Sequence, residues 1–311
     1  MYDGGVSGFS RRTLLGGALA AMPARPAGRP EGLIIDTHIH LFEPERFPYH
    51  PNATYQPAAE PLDKYVAFTR GAGIDHVVIV HPEPYQDDHR YLEYCFAHEP
   101  APGFFKGTCL FDPVAADTPA RMAALVRRNP KRIVALRIHE TRAPGTPPLA
   151  AGPIKDRALR TPAMHTTWRA AADLGLAIQM HFLPAYAVQI GELAQAFPQV
   201  PVILDHLARA GEGSPEEFED VLKLARYPRV YMKYSAINYS SKQPYPYADA
   251  RPLVKRAYDA FGPTRMLWGG LGHDRAEFDR QSALFDQMFA FAPAAARAKI
   301  RGLNAKSLFA F

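Results

Sequence analysis

Eight short apolar runs recur along the chain, separated by stretches in which apolar residues return every three or four positions. The runs are LIIDTHIH (33–40), HVVIVH (76–81), FKGTCLF (105–111), RIVALRIH (132–139), LAIQMH (176–181), VPVILDH (200–206), RVYMKYS (229–235) and RMLWGG (265–270). Apolar residues at consecutive positions in so short a run read as a strand buried on both faces. The intervening stretches read as helices. Thr161-Pro162 opens one that closes at Gly175, with proline at the first helical position and glycine just past the end. Ser214-Pro215-Glu216-Glu217 opens another with the spacing of a capping box. Strand and helix alternating in this way predict a parallel sheet closed by right-handed crossovers: an α/β fold, a single-domain (β/α)8 TIM barrel over residues 32–311. An open doubly wound sheet is the competing arrangement, but the first strand lacks the glycine-rich phosphate loop that would favour it.

Residues 1–31 stand outside the pattern. GFSRRTLLGGALAAMPARPAG joins a twin arginine to an apolar stretch from Leu14 to Met22, well short of the roughly 20 residues a bilayer span needs. Ser10-Arg11-Arg12-Thr13-Leu14-Leu15 matches the core of a twin-arginine signal. The expectation is an exported, periplasmic protein with no membrane insertion in its mature form. A cytoplasmic protein with a disordered basic leader is the alternative.

Composition narrows the function more than the fold. At 47% apolar and 22% charged, the balance is globular. The 30 prolines fall between the periodic segments, and they stiffen two long loops, 43–62 and 140–161, at the C-terminal mouth where such barrels place their sites. A net charge of +5, part of it in the leader, with no basic run interleaved with aromatics, excludes nucleic acid as the partner. Arginines gathered in a pocket fit a small anionic molecule instead. Cys95 and Cys109 match neither a metal motif nor a disulfide framework and read as buried apolar residues.

The chemistry is concentrated at strand ends. Six of the 12 histidines lie there: His38 and His40 on the first strand, His81 on the second, His139 on the fourth, His181 on the fifth and His206 on the sixth. Side chains at i and i+2 of a strand share a face, so His38 and His40 both enter the lumen. Each histidine taken alone reads best as a hydrogen-bonded core residue; the set reads as a site. Three or four converging neutral imidazoles can bind a divalent ion and acidify its water. Arg137 and Arg209 can clamp a carboxylate through paired hydrogen bonds. With His81, Tyr85, His139 and Tyr234 they are the candidate substrate contacts; Tyr49, Tyr55 and Tyr239 are further aromatics near the mouth.

DTHIH, HPEPYQDDHRYL, MHF, DHLAR and the closing IRGLNAKSLFAF occur in that order from Leu33 to Phe311. In this they resemble the amidohydrolase superfamily, in the amidohydrolase-related (amidohydrolase 2) branch that includes 2-pyrone-4,6-dicarboxylate lactonase and sugar lactonases. The resemblance implies hydrolysis of a lactone or similar ester of a small carboxylate, with either one zinc-like divalent metal, for which the residues matching His38, His40 and His181 would be ligands, or a metal-free site. It also implies a final-strand aspartate as general base. There the chain departs: relatives read roughly W-G-S-D where this one reads Trp268-Gly269-Gly270-Leu271. Leucine can neither take a proton nor bind a metal. Three explanations compete: Asp274, or His273 oriented by it, swings into the lumen; the histidines His38, His40, His181 and His206 suffice; or the barrel is degenerate and only binds an anion. A decarboxylase of the same superfamily is a further alternative, against which His38 speaks, because such relatives usually carry glutamate there.

Overall fold

The computed structural model describes residues 32–311; the expected leader, 1–31, lies outside the described residues. Eight parallel strands follow one another in chain order around a barrel. They are β1 (Ile35–Ile39), β2 (His76–Val80), β3 (Phe105–Leu110), β4 (Ile133–Glu140), β5 (Ala177–Phe182), β6 (Val202–Leu204), β7 (Val230–Tyr234) and β8 (Met266–Trp268). Helices α1 (Leu62–Ala72), α2 (Arg90–Ala97), α3 (Thr118–Arg128), α4 (Pro162–Asp173), α5 (Ala187–Ala196), α6 (Pro215–Lys223), α7 (Arg251–Phe261) and α8 (Arg275–Met288) follow the strands in turn. Both expected helix starts are present: Thr161 Oγ1 accepts from Met164 N at 3.1 Å, and Ser214 and Glu217 form the reciprocal capping box.

Two apolar clusters divide the strand faces. Outward residues such as Ile34, Val77, Leu136, Met180 and Trp268 pack under the helices. Inward residues at the strand starts, Ile35, Val78, Ala135, Ala177, Ile203 and Leu267, form a smaller cluster at the bottom of the lumen. Ala305 and Phe309 of the closing helix (Asn304–Phe309) complete that cluster and plug the barrel floor. Cys95 and Cys109 are buried, free thiols.

One departure from regular pleating positions the site. Asp36 pairs with Val77 but Ile39 pairs with Ile79, so β1 holds one more residue than β2 across that interval. A bulge of this kind reverses the phase of the strand. Ile35 therefore faces the lumen below the bulge, Ile39 faces the helices above it, and His38 and His40 face inward. The β8–β1 seam is then tied by Thr37 Oγ1 donating to Trp268 O (2.7 Å), Gly270 N to Asp36 Oδ1 (2.8 Å) and Leu271 N to His38 O (3.1 Å). Gly269 is required beside this seam, because a Cβ there would lie 2.6 Å from the Cβ of His38.

Candidate active site

Above the apolar floor the inward positions turn polar. Arg137 on β4, Gln179 on β5, Asp205 after β6 and Lys233 on β7 are all buried. They converge on one carboxylate: Asp205 Oδ2 accepts from Gln179 Nε2 at 2.9 Å and Arg137 Nε at 3.2 Å, and Lys233 Nζ lies 3.2 Å from Oδ1. Burial alone would raise the Asp205 pKa, but Lys233 and Arg137 outweigh it and hold the group well below the usual carboxylate range. Asp36, with Oδ1 accepting from His38 N (2.9 Å) and Gly270 N (2.8 Å), is pushed up to about 6 by burial.

The imidazoles stand on this layer. Ring centroids run in a chain, His40 to His38 at 4.9 Å, His38 to His206 at 4.6 Å, His206 to His181 at 5.0 Å and His181 to His139 at 5.2 Å. The strand-end histidines thus converge at one end of the barrel. Burial, with Arg137 adding to it, drives the pKa of His40, His139 and His181 well below the ordinary value and that of His206 down to about 3. His38 is lowered likewise, by burial first and then by His206 and Lys233. All five are neutral at pH 7, and their partners fix the tautomers. The Nδ1–H of His40 donates to Val80 O (2.7 Å), so its Nε2 carries a lone pair, and His38 Nε2–H points at it from 3.2 Å. Arginine only donates, so His181 Nε2 accepts from Arg209 (3.0 Å) and His206 Nε2 from Arg137 (3.4 Å). His206 Nδ1–H then donates to Ser235 Oγ at 2.9 Å.

The segment delivering His206 and Arg209 is unusual in its backbone. His206, Leu207, Ala208 and Arg209 all have φ between +52° and +57°, a left-handed turn built without glycine. Such residues cost on the order of 1 kcal/mol each, and the turn brings both side chains to the cavity wall. That cavity, about 370 Å³, is lined by His40, His139, His181, His206, Arg137, Arg209, Lys155, Glu83, Thr141, Tyr55, Tyr239, Ala236 and Leu271. Both long loops contribute, through Tyr55 and through Thr141 and Lys155.

Residues 35–311 match the amidohydrolase family model. The chain belongs to the amidohydrolase family. A 4-sulfomuconolactone hydrolase from Hydrogenophaga intermedia is 25% identical over 241 residues, covering 75% of this chain and 72% of that protein. An L-fucono-1,5-lactonase from Burkholderia ambifaria is 25% identical over 243 residues, covering 76% and 78%. Among solved structures, a probable 2-pyrone-4,6-dicarboxylic acid hydrolase from Acinetobacter baumannii, with citric acid bound, has the same fold, with a TM-score of 0.70, 20% identity, and 89% of this chain and 99% of that one covered.

This amidohydrolase redraws part of the site expected from its sequence. The group brought within ligand spacing is His38, Asp205 and His206, whose donor atoms lie within 4.8 Å of one another, and not His38, His40 and His181. The difference is one of spacing, since all these imidazoles are engaged: His40 by Val80 and His38, His181 by Arg209, and His206 by Arg137 and Ser235. Among the described residues His38 Nδ1 is buried with no hydrogen-bond partner, 3.8 Å from Asp205 Oδ1. Two facing lone pairs of this kind suit a cation, so the trio could hold one divalent metal ion. Lys233 competes with it for the same carboxylate oxygen.

Neither acidic-loop candidate for the missing base is directed into the cavity. Asp274 is the N-cap of α8, its Oδ1 accepting from Glu277 N at 2.9 Å. His273 Nε2 bonds His40 O at 2.8 Å. Neither lines the cavity. Leu271 does, with φ +59°, so the acid's position faces the site and the acid is simply absent. Three proposed substrate contacts are not among the residues lining the cavity. His81 is buried and bonded to Gln86 O (3.0 Å), Tyr85 OH accepts from Glu43 N (2.8 Å), and Tyr234 points outward against Phe285 and Phe289. His139, Arg137 and Arg209 do reach the cavity. Sequence reasoning missed Asp205, Lys233, Asp36, Gln179 and Lys155. A charged residue inside an apolar run, as in VPVILDH and RVYMKYS, was the available signal for the first two.

Proposed function

We propose that this amidohydrolase opens the ring of a small lactone that carries a carboxylate, working through neutral imidazole and guanidinium groups. The observation that carries the reading is the cavity wall itself: His40, His139, His181 and His206 beside Arg137 and Arg209, with leucine where a carboxylate base would stand. The names of the two curated relatives, both lactone hydrolases, favour ring opening over decarboxylation or binding alone.

His40 is placed to act as base. Its Nδ1–H is held by Val80 O, and its Nε2 lone pair, which accepts from His38 Nε2–H in this structure, takes a water proton when substrate and water displace that contact. Arg137 and Arg209 stabilise the negative charge that gathers on the ring carbonyl oxygen as water adds. The ring C–O bond then breaks, and the leaving alkoxide takes the proton back from His40, giving a hydroxy acid. A negatively charged substrate offsets the field of Arg137, which in the free protein depresses the basicity of His40. A divalent ion held by His38, Asp205 and His206 would supply Lewis-acid polarisation when bound.

The test is hydrolysis of a panel of carboxylate-bearing lactones. Wild type should open at least one, His40→Gln should lose roughly 10²–10⁴-fold in kcat, and Asp274→Asn should stay within about twofold because its carboxylate only caps a helix. A wild type inactive across the panel, or Asp274→Asn as impaired as His40→Gln, would refute the proposal.

A further inference from the structure

Three cationic side chains line the cavity, and two of them are already matched by acids. Arg137 pairs with Asp205 at 3.2 Å; Arg209 pairs with Glu212 at 2.5 Å and lies over the Tyr239 ring at 4.3 Å. Lys155 is half-buried and has no carboxylate within ion-pair distance among the described residues. The one acid among the lining residues, Glu83, is engaged elsewhere: its oxygens accept from Thr54 N (3.2 Å), Thr54 Oγ1 (3.0 Å) and Gln86 Nε2 (2.7 Å).

The backbone on both sides of Lys155 is held firmly. Ile154 N donates to Gln86 Oε1, the Asp156 carboxylate accepts from Thr141 N and from Thr141 Oγ1 at 3.0 Å, and Arg157 bonds both Asp112 (3.1 Å) and the carbonyl of Lys155 (2.8 Å). Ile154, Asp156, Arg157 and Gln86 are all buried. His81 Nε2 bonds the Gln86 carbonyl, so it holds the residue that holds this loop. A lone ammonium on a flexible surface loop would need no explanation. Here the backbone carrying it is fixed at the wall of a cavity that also holds Arg137 and Arg209, and a partly desolvated charge of that kind is costly without a counterion.

We infer that Lys155 anchors a substrate carboxylate remote from the ring carbonyl, on the Thr141 and His139 side of the cavity. Which molecule brings the carboxylate rests on the ring-opening reading; the anion site itself does not. Arg137 and Arg209 are then left to the reacting ester, and the preferred substrates are lactones with a free carboxylate over uncharged ones.

Citrate serves as a non-hydrolysable polycarboxylate probe, titrated calorimetrically into wild type, Lys155→Met and Lys155→Arg. Lys155→Met should weaken citrate roughly 10–100-fold, the range for losing one charge-assisted contact, while Lys155→Arg retains most of the affinity. With a carboxylated lactone, Lys155→Met should raise KM by a similar factor and leave kcat within about threefold; with an uncharged lactone neither should change. Equal citrate affinity in wild type and Lys155→Met, or equal losses on charged and uncharged lactones, overturns the inference. Lysine-dependent citrate binding in a protein that opens no lactone supports the anion site and refutes the ring-opening proposal.

Discussion

Replacing Lys233 by methionine should destabilise the barrel and strengthen metal binding together. The ammonium is fully buried, 3.2 Å from Asp205 Oδ1, and donates to Thr37 O at 3.1 Å. At that separation the ion pair amounts to about 5 kcal/mol at an effective dielectric constant of about 20. Removing one partner of a buried pair typically costs about 3–5 kcal/mol. Arg137 and Gln179 remain on Oδ2, which puts the expected loss near the lower end, about 3 kcal/mol. For a domain of this size that corresponds to a Tm drop of roughly 6–12 °C. The same change leaves Asp205 Oδ1 and His38 Nδ1, 3.8 Å apart, free to share an ion. Zinc affinity should therefore rise at least about tenfold, about 1.4 kcal/mol, and zinc at about 100 times its dissociation constant should restore about 2.7 kcal/mol. The assay is thermal unfolding of chelator-treated protein with and without zinc, alongside zinc titration by calorimetry. A variant that melts within about 2 °C of wild type, or that binds zinc no better, would show that Lys233 neither compensates Asp205 nor competes with an ion.

Leu271→Asp should be tolerated, because φ +59° suits aspartate better than leucine and the side chain is only half-buried. Its Tm should stay within about 4 °C of wild type, and the added carboxylate should weaken citrate binding; a collapse in stability, or tighter citrate binding measured by calorimetry, would count against the placement of this residue at the cavity wall. Asp36→Asn should flatten part of the pH dependence of stability. With a folded pKa raised to about 6 by burial, Asp36 binds its proton more tightly folded than unfolded, so its contribution is greatest below about pH 4. That contribution falls by up to about 1.4 kcal/mol per pH unit as pH rises towards 6, and is level above. In denaturant titrations from pH 8 to 4, wild type should gain stability relative to the variant as pH falls; parallel curves would contradict the shift.

Every strand run and both helix starts were legible because each depends on local order: consecutive apolar residues, a proline at the first helical turn, a serine three residues before a glutamate. The strand-end histidines were legible for the same reason, since the mouth of a parallel barrel is always the C-terminal end of its strands. His81, Tyr85 and Tyr234 share the composition of site residues but not the direction. Tyr234 falls on the outward phase of β7, and His81 and Tyr85 fold back into the β2 loop, where Gln86 and Glu43 take their polar atoms.

The sequence by itself determined the barrel, the end at which its chemistry gathers, and the absence of an acid at Leu271, because strand periodicity and residue identity are properties of the chain. Only the tertiary structure decided which groups are paired. The bulge in β1 sets the phase of His38 and His40, and residues 137, 179, 205 and 233, far apart in sequence, meet around one carboxylate. Asp274 becomes a helix cap, and Lys155 a cation without a counterion among the described residues, through contacts that no spacing encodes. Hydrogen bonds and ion pairs act over about 3 Å, so which partner satisfies a polar group is settled when the strands close, not by its neighbours in the chain.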